Sequence, residues 1–388
     1  HKADAVKLTV EAPSGWMLMN GDAKSTAQRE FAFENYDRLI DTPTEVAPSI
    51  TVDSFRVDGR LYRVMVHHNG PRPPGAQERF VRDVKRIVET ENRVVAPPPL
   101  ETYTFLFNIG YAGGDGMEHL YSTEIIHPRA WTDTAAVLPG VSTAAHEYFH
   151  TWNVKRVRPI ALGPFDYTTE QYQPSLWVAE GWTQYYGEMT MYRAGIVDQP
   201  RLFEMLAGMI RYDSELPGRL DASAREASFN APFWDGGAQP TKTNRDAHWI
   251  SYYTKGEGIA LLLDLEIRSR TNGARSLDDA LRGLKRRSWD VTPNASYYLQ
   301  GRGYTEADVE AAVSEAAGAD MHPWFERYVG GREELPFRET LAKVGLTLTV
   351  GEPGADGQRK YTLGVDPSAT AGQTRVREEW LAGRTKAE

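Results

Sequence analysis

The sequence predicts an α+β fold in three stretches: a partial β domain over residues 1–75, a mixed domain over 76–335 that turns mainly helical, and a β segment with a tail over 336–388. Three observations carry this. Alternating apolar and polar residues dominate the first stretch, apolar residues at helical spacing dominate most of the second, and Pro/Gly clusters punctuate the joins.

Composition narrows the classes of function. With 388 residues, 41% hydrophobic and 25% charged, the chain is of ordinary globular make-up and long enough for two or three domains. A formal charge of −9 argues against nucleic acid or an anionic membrane as the main partner. No apolar run approaches the roughly eighteen residues of a membrane span, since Ile259–Leu263 is broken at once by Asp264. Cysteine is absent, so a metal site would have to be built from His, Asp and Glu.

The elements follow in order. Val6–Val10, Ser54–Val57 and Leu61–Val66 alternate as strands, the last two joined by Asp58-Gly59 as a hairpin turn. After Pro71–Gly75, residues Gln77–Glu91 form an amphipathic helix with Phe80, Val81, Val84 and Val88 on one side. Thr102–Ile109 reads as a buried strand. Gly113–His119 is a glycine-rich turn with Glu118 at its end, leading to a strand around Ile125-Ile126. A helix then starts after Pro139-Gly140, with Ser142 or Thr143 as cap. The segment Leu176–Arg193 is a second helix, stopped by Ala194-Gly195. Further helices are expected at 200–219, 259–268, 276–287, 305–317 and 322–329, with Thr305 to Asp308 as a capping box. Residues 221–247 read as an irregular surface segment, 341–350 as β, and the chain from Gly351 as loop or mobile tail.

The chemistry centres on His146-Glu147-Tyr148-Phe149-His150, an H-E-x-x-H pattern. On a helix, positions i and i+4 share one face, so both imidazoles can reach one metal. Glu147 lies about a hundred degrees further round, within reach of a water in the metal's open position. The plainer reading is a buried helix that carries two hydrogen-bonded histidines by chance. Two carboxylates compete as third ligand. Glu170 stands nineteen residues beyond His150 and Glu180 twenty-nine. Spacing favours Glu170, but a ligand must be held rigidly, and Glu180 lies inside a strongly apolar helix. The choice falls on Glu180, on that rigidity and on the resemblance that follows.

The run His146–Pro159, the segment Leu176–Thr183 around Glu180, the motif Ser251–Gly256 and Gly116-Met117-Glu118-His119 together resemble the glycyl aminopeptidase family. These are gluzincin zinc metallopeptidases, distantly related to the aminopeptidase N-like enzymes and commonly followed by a PDZ domain. The likeness spans about Leu61 to Leu346. It implies a thermolysin-like catalytic domain and one Zn²⁺ per chain on His146, His150 and Glu180. It implies Glu147 as general base and Tyr253 as the transition-state tyrosine. Gly116, Met117 and Glu118 would form the substrate edge, with Glu118 holding the free amino group. Asp115 stands where relatives usually have another glycine. The partner implied is a peptide with a free N-terminus, of which Gly or Ala would be removed. Two other readings stay open: a zinc endopeptidase on the same metal site, and an inactive peptide-binding module. Intact His146, Glu147, His150 and Glu180 speak against the last.

Overall fold

A computed structural model describes residues 1–234, 245–291, 302–355 and 357–384. The chain divides into two compact units, His1–Lys155 and Arg156–Glu388.

The first unit is built on a five-stranded sheet whose strands, in order across it, are β5 (Thr51–Val57), β6 (Arg60–His68), β7 (Thr102–Ile109), β9 (Ser122–His127) and β8 (Asp115–Glu118). Four short strands precede it: β1 (Val6–Thr9), β2 (Met17–Asn20), β3 (Glu30–Phe33) and β4 (Thr44–Ala47), with helix α1 (Tyr36–Ile40) between β3 and β4. They pair as β1-β3 and β2-β4. Strands β5 (Thr51–Val57) and β6 (Arg60–His68) form the expected hairpin, and Asp58 and Gly59 both take positive φ, 50° and 78°. That pair of left-handed residues is what a two-residue turn matching strand twist requires. Helix α2 (Ala76–Glu91) then carries the chain over to β7 (Thr102–Ile109), which pairs parallel with β6. The boundary expected near residue 75 therefore falls inside one sheet, because a parallel pair needs such a crossover.

Alternation along β7 divides its side chains between two layers. Tyr103, Phe105 and Phe107 point toward the helices, where Phe107 meets Phe80 of α2 edge-on with centroids 4.7 Å apart. On the other face, Leu106 joins Met65, Met19, Ala47 and Ile50 in a buried cluster, so β2 and β4 cover the sheet. Strand β8 (Asp115–Glu118) forms one edge, antiparallel to β9 (Ser122–His127). Helix α3 (Val141–Phe149) packs beside α2 and against β8 and β9.

The second unit is mainly helical. A π-helical turn, Trp177–Trp182, runs directly into α4 (Thr183–Arg193). There follow α5 (Gln199–Glu215), α6 (Ala224–Phe229), α7 (Ala231–Trp234), α8 (Arg245–His248), α9 (Tyr252–Arg270), α10 (Leu277–Ser288), α11 (Glu306–Ala317), α12 (His322–Tyr328) and α13 (Phe337–Ala342). Helix α9 is the hub, buried almost all round from Lys255 to Arg268 and packed against most of the others. Among the charges it buries, Arg268 is paired with Asp264 at 3.0 Å and Lys255 with Asp213 at 3.4 Å, as a core position requires.

Several expectations need correction. Helix α9 begins at Tyr252 rather than Ile259, because Ser251 caps it. The segment 221–247 holds α6, α7 and α8 instead of being irregular, and its part 235–244 lies outside the described residues. The β character expected from Leu341 starts at Leu346, after α13. The tail expected from Gly351 is ordered: β10 (Leu346–Pro353) and β11 (Arg359–Val365) form a hairpin, and α14 (Ala371–Ala382) follows. Trp380 of α14 is fully buried and donates to the Tyr185 hydroxyl at 2.9 Å, which donates in turn to Asp264 at 2.7 Å. A buried tryptophan with a satisfied N–H ties this segment into the core. Among the described residues, no helix is long and apolar enough to cross a membrane.

Candidate metal site

Helix α3 is preceded at its N-cap by Gly140, whose φ of 94° only glycine adopts readily. A Cβ there would lie 3.2 Å from Ile109 Cδ1, so the cap is also a close approach to β7. Neither Ser142 nor Thr143 caps the helix, which corrects the expectation. Tyr148 fixes the helix on the sheet. Its ring sits edge-on to Tyr62 and Tyr103, and its hydroxyl donates to Asn92 Oδ1 at 2.9 Å. Asn92 is oriented by its own donation to Asp58 at 2.8 Å, and the Tyr62 hydroxyl then donates to Tyr148 at 2.9 Å. Burial pushes the Tyr148 hydroxyl well above its ordinary value, so it remains a neutral donor.

The two histidines then face one another. Their Nε2 atoms lie 3.1 Å apart and their rings are nearly perpendicular, at 81°. His150 Nδ1 donates to the backbone oxygen of Asn153 at 2.6 Å. With the proton on Nδ1, Nε2 of His150 presents a lone pair, the state a metal ligand needs.

Glu147, 4% exposed, is turned toward β8. A Cβ on Gly116 would fall 2.2 Å from Glu147 Oε1 and 2.9 Å from Thr143 Cγ2. Glycine at 116 is what lets the edge strand lie this close to α3. Gly116 and Glu118 share the half-buried face of β8, while Met117 on the other face is 52% exposed. Asp115 is exposed and accepts from the Gly116 backbone N–H at 3.0 Å. Ligand-capable atoms of Glu118, Glu147 and His150 all lie within 4.8 Å of one another. The first unit thus brings His146, His150, Glu147 and Glu118 together.

The other two predicted residues belong to the second unit. Glu180 sits within the π-helical turn, a rare element that often marks functional positions. Glu170, its competitor, is exposed on a stretch without regular structure. Tyr253 is in the first turn of α9, its ring stacked on Tyr252 with centroids 4.9 Å apart. The π-turn and α9 cross through glycines: a Cβ on Gly181 would meet Gly256 Cα at 2.3 Å, and one on Gly256 would meet Trp177 O at 2.3 Å. Glycines one residue from Glu180 and three from Tyr253 therefore set how these two side chains stand to each other. Neither glycine is part of a ligand pattern, but a glycine inside a helix costs about 1 kcal/mol and so asks for a packing reason.

The donor set fits a divalent transition metal. Two imidazole nitrogens 3.1 Å apart lie near the edge of a tetrahedron, about 3.3–3.4 Å for metal–nitrogen bonds of roughly 2.0–2.1 Å. The absence of cysteine leaves a nitrogen and oxygen set, as in catalytic zinc centres.

Residues 140–259 match the family model described as M61 glycyl aminopeptidase, a stretch that holds His146, Glu147, His150, Glu180 and Tyr253 but not Glu118. The resemblance read from the sequence is borne out there. Among solved structures, an aminopeptidase N family protein from Idiomarina loihiensis superposes with TM-score 0.79 at 24% identity, over 92% of this chain and 60% of that one. An M1 zinc metallopeptidase from Deinococcus radiodurans superposes with TM-score 0.53 at 16% identity, over 87% and 67%. Both share the expected α+β fold with its helical C-terminal part. The chain spans 60% of the length of the Idiomarina protein. No curated protein matches it in sequence.

Proposed function

We propose, from the premise that this chain is a peptidase related to the M61 glycyl aminopeptidases, that it removes the N-terminal residue, Gly or Ala, from peptides. One Zn²⁺ would be held by His146, His150 and Glu180. The observation that carries this reading lies in the first unit: paired imidazole nitrogens 3.1 Å apart, with the carboxylates of Glu147 and Glu118 gathered beside His150.

When bound, zinc supplies a Lewis acid and brings water's pKa toward neutrality. The protein's own groups do the rest. Glu147 accepts the proton of the attacking water and delivers it to the leaving amine. Its burial beneath β8 keeps competing solvent away from that carboxylate. The Tyr253 hydroxyl donates to the oxygen that gains charge as the carbonyl is attacked. Glu118 pairs with the substrate's α-ammonium and so sets the cut one residue from the N-terminus, while the backbone of Gly116 and Met117 lines the same edge. Glu118 beside the catalytic carboxylate favours this exopeptidase reading over an endopeptidase on the same metal.

Metal analysis with a panel of aminoacyl anilides tests the proposal. It expects one zinc per chain and fastest release from glycyl and alanyl anilides. Full activity in metal-free protein, or no cleavage of any free-amine anilide, would count against it.

A further inference from the structure

The N-terminal layer contributes a buried anchor to this site. Asp41 closes the C-terminal end of α1, and its carboxylate is nearly enclosed. Oδ1 accepts from His119 Nδ1 at 3.2 Å and from Lys155 Nζ at 2.9 Å, and Oδ2 accepts from the Leu120 backbone N–H at 2.9 Å. Burial alone would raise the Asp41 carboxyl, but Lys155 and His119 together hold it well below the usual carboxylate range.

The placement of these partners gives the cluster its meaning. His119 and Leu120 directly follow Glu118, at the end of a four-residue edge strand held by β9 on one side only. Lys155 lies in the turn after α3, and its backbone N–H donates to the carbonyl of His150 at 2.9 Å. One carboxylate thus ties the segment that carries Glu118 to the turn that carries His150. A short edge strand without this tie would be free to shift, and misplacement by about 1 Å at a reacting centre can cost on the order of a hundredfold.

We propose that Asp41 is a positioning residue that, through His119 and Leu120, holds the Glu118 carboxylate at the distance from the His146–His150 pair that a free N-terminal ammonium requires. This rests on the aminopeptidase reading given above.

The test compares wild type, Asp41→Asn, Glu118→Ala and the double variant on alanyl anilide, and on a peptide with free or acetylated N-terminus. The expected result for Asp41→Asn is a KM about tenfold higher with kcat changed less than about threefold, unaltered zinc content and a narrowed preference for the free amine. In the Glu118→Ala background the same change is expected to raise KM no further. An Asp41→Asn enzyme with unchanged KM and preference overturns the proposal, and so does one that loses only kcat or zinc, the mark of a purely structural role. If that variant does not fold, His119→Leu, which leaves the Asp41–Lys155 pair intact, decides by the same criteria. A wild type that cuts free and acetylated peptides alike shows instead that the aminopeptidase reading has failed, and the proposal falls with it.

Discussion

The Glu147 carboxylate occupies the space that a side chain at position 116 would need: a Cβ on Gly116 would lie 2.2 Å from its Oε1. The closest atoms are the end of a flexible side chain, with Thr143 Cγ2 next at 2.9 Å, so Gly116→Ala displaces the carboxylate more than it disturbs the fold. The expected outcome is a kcat at least ~10-fold lower with Tm reduced by no more than about 4 °C. Steady-state kinetics and thermal melting on one preparation check this, and an unchanged kcat would show that Glu147 works from elsewhere.

Replacing Glu147 itself separates metal binding from proton transfer. Glu147→Gln keeps the shape of the side chain but cannot take a proton from water. Zinc content is expected to stay at the wild-type level while kcat falls by about 10²–10⁴. Elemental analysis beside the kinetic assay reads both, and loss of zinc would mean that Glu147 is a ligand.

Tyr253→Phe removes a single hydroxyl from the first turn of α9. Because the hydrogen bond proposed for it would matter chiefly in the transition state, kcat is expected to fall by roughly 10²–10³ with little change in KM. A rise in KM at constant kcat would make Tyr253 a substrate-binding group instead.

On the sheet face opposite Glu118, the Glu124 carboxyl is pushed up to about 8, first by its shared hydrogen bond with Glu45, then by burial and the negative charges of Glu45 and Asp115. Its pKa is raised on folding, so the folded chain holds this proton more tightly than the unfolded chain. The stability it contributes is complete below about 4.5 and is lost as pH rises toward about 8. Glu124→Gln keeps a donor to Glu45 and does not titrate. Denaturant midpoints at pH 5 and pH 8.5 are expected to differ less in the variant than in wild type. Equal pH dependence would remove the shared proton from the account.

What the sequence revealed follows from how local each signal is. The H-E-x-x-H helix was legible because two histidines on one helical face need a fixed spacing, and Asp58-Gly59 because its turn demands positive φ at both positions. Asp41 was not legible: its partners His119 and Lys155 stand 78 and 114 positions away, and nothing near residue 41 marks it as part of a site. The Gly140 cap escaped notice because Ser142 and Thr143 offered a better local motif, while the close approach of Ile109 depends on the finished fold. The C-terminal hairpin and α14 were hidden by a Gly-, Asp- and Ala-rich composition, and their order follows from burial of Leu348 and Leu363 on the hairpin and of Trp380 against Tyr185.

The central claim is that a free amino group directs cleavage, and its most direct test is kcat/KM for one Gly- or Ala-initiated peptide with and without N-acetylation. An ammonium that meets the Glu118 carboxylate forms a charge-assisted pair worth about 1.5–3 kcal/mol, which an acetylated amine cannot make. Acetylation is expected to abolish cleavage after the first residue, and Glu118→Ala to narrow the difference between the two peptides. Internal cleavage of the acetylated peptide as fast as that of the free one would contradict the account and make the enzyme an endopeptidase.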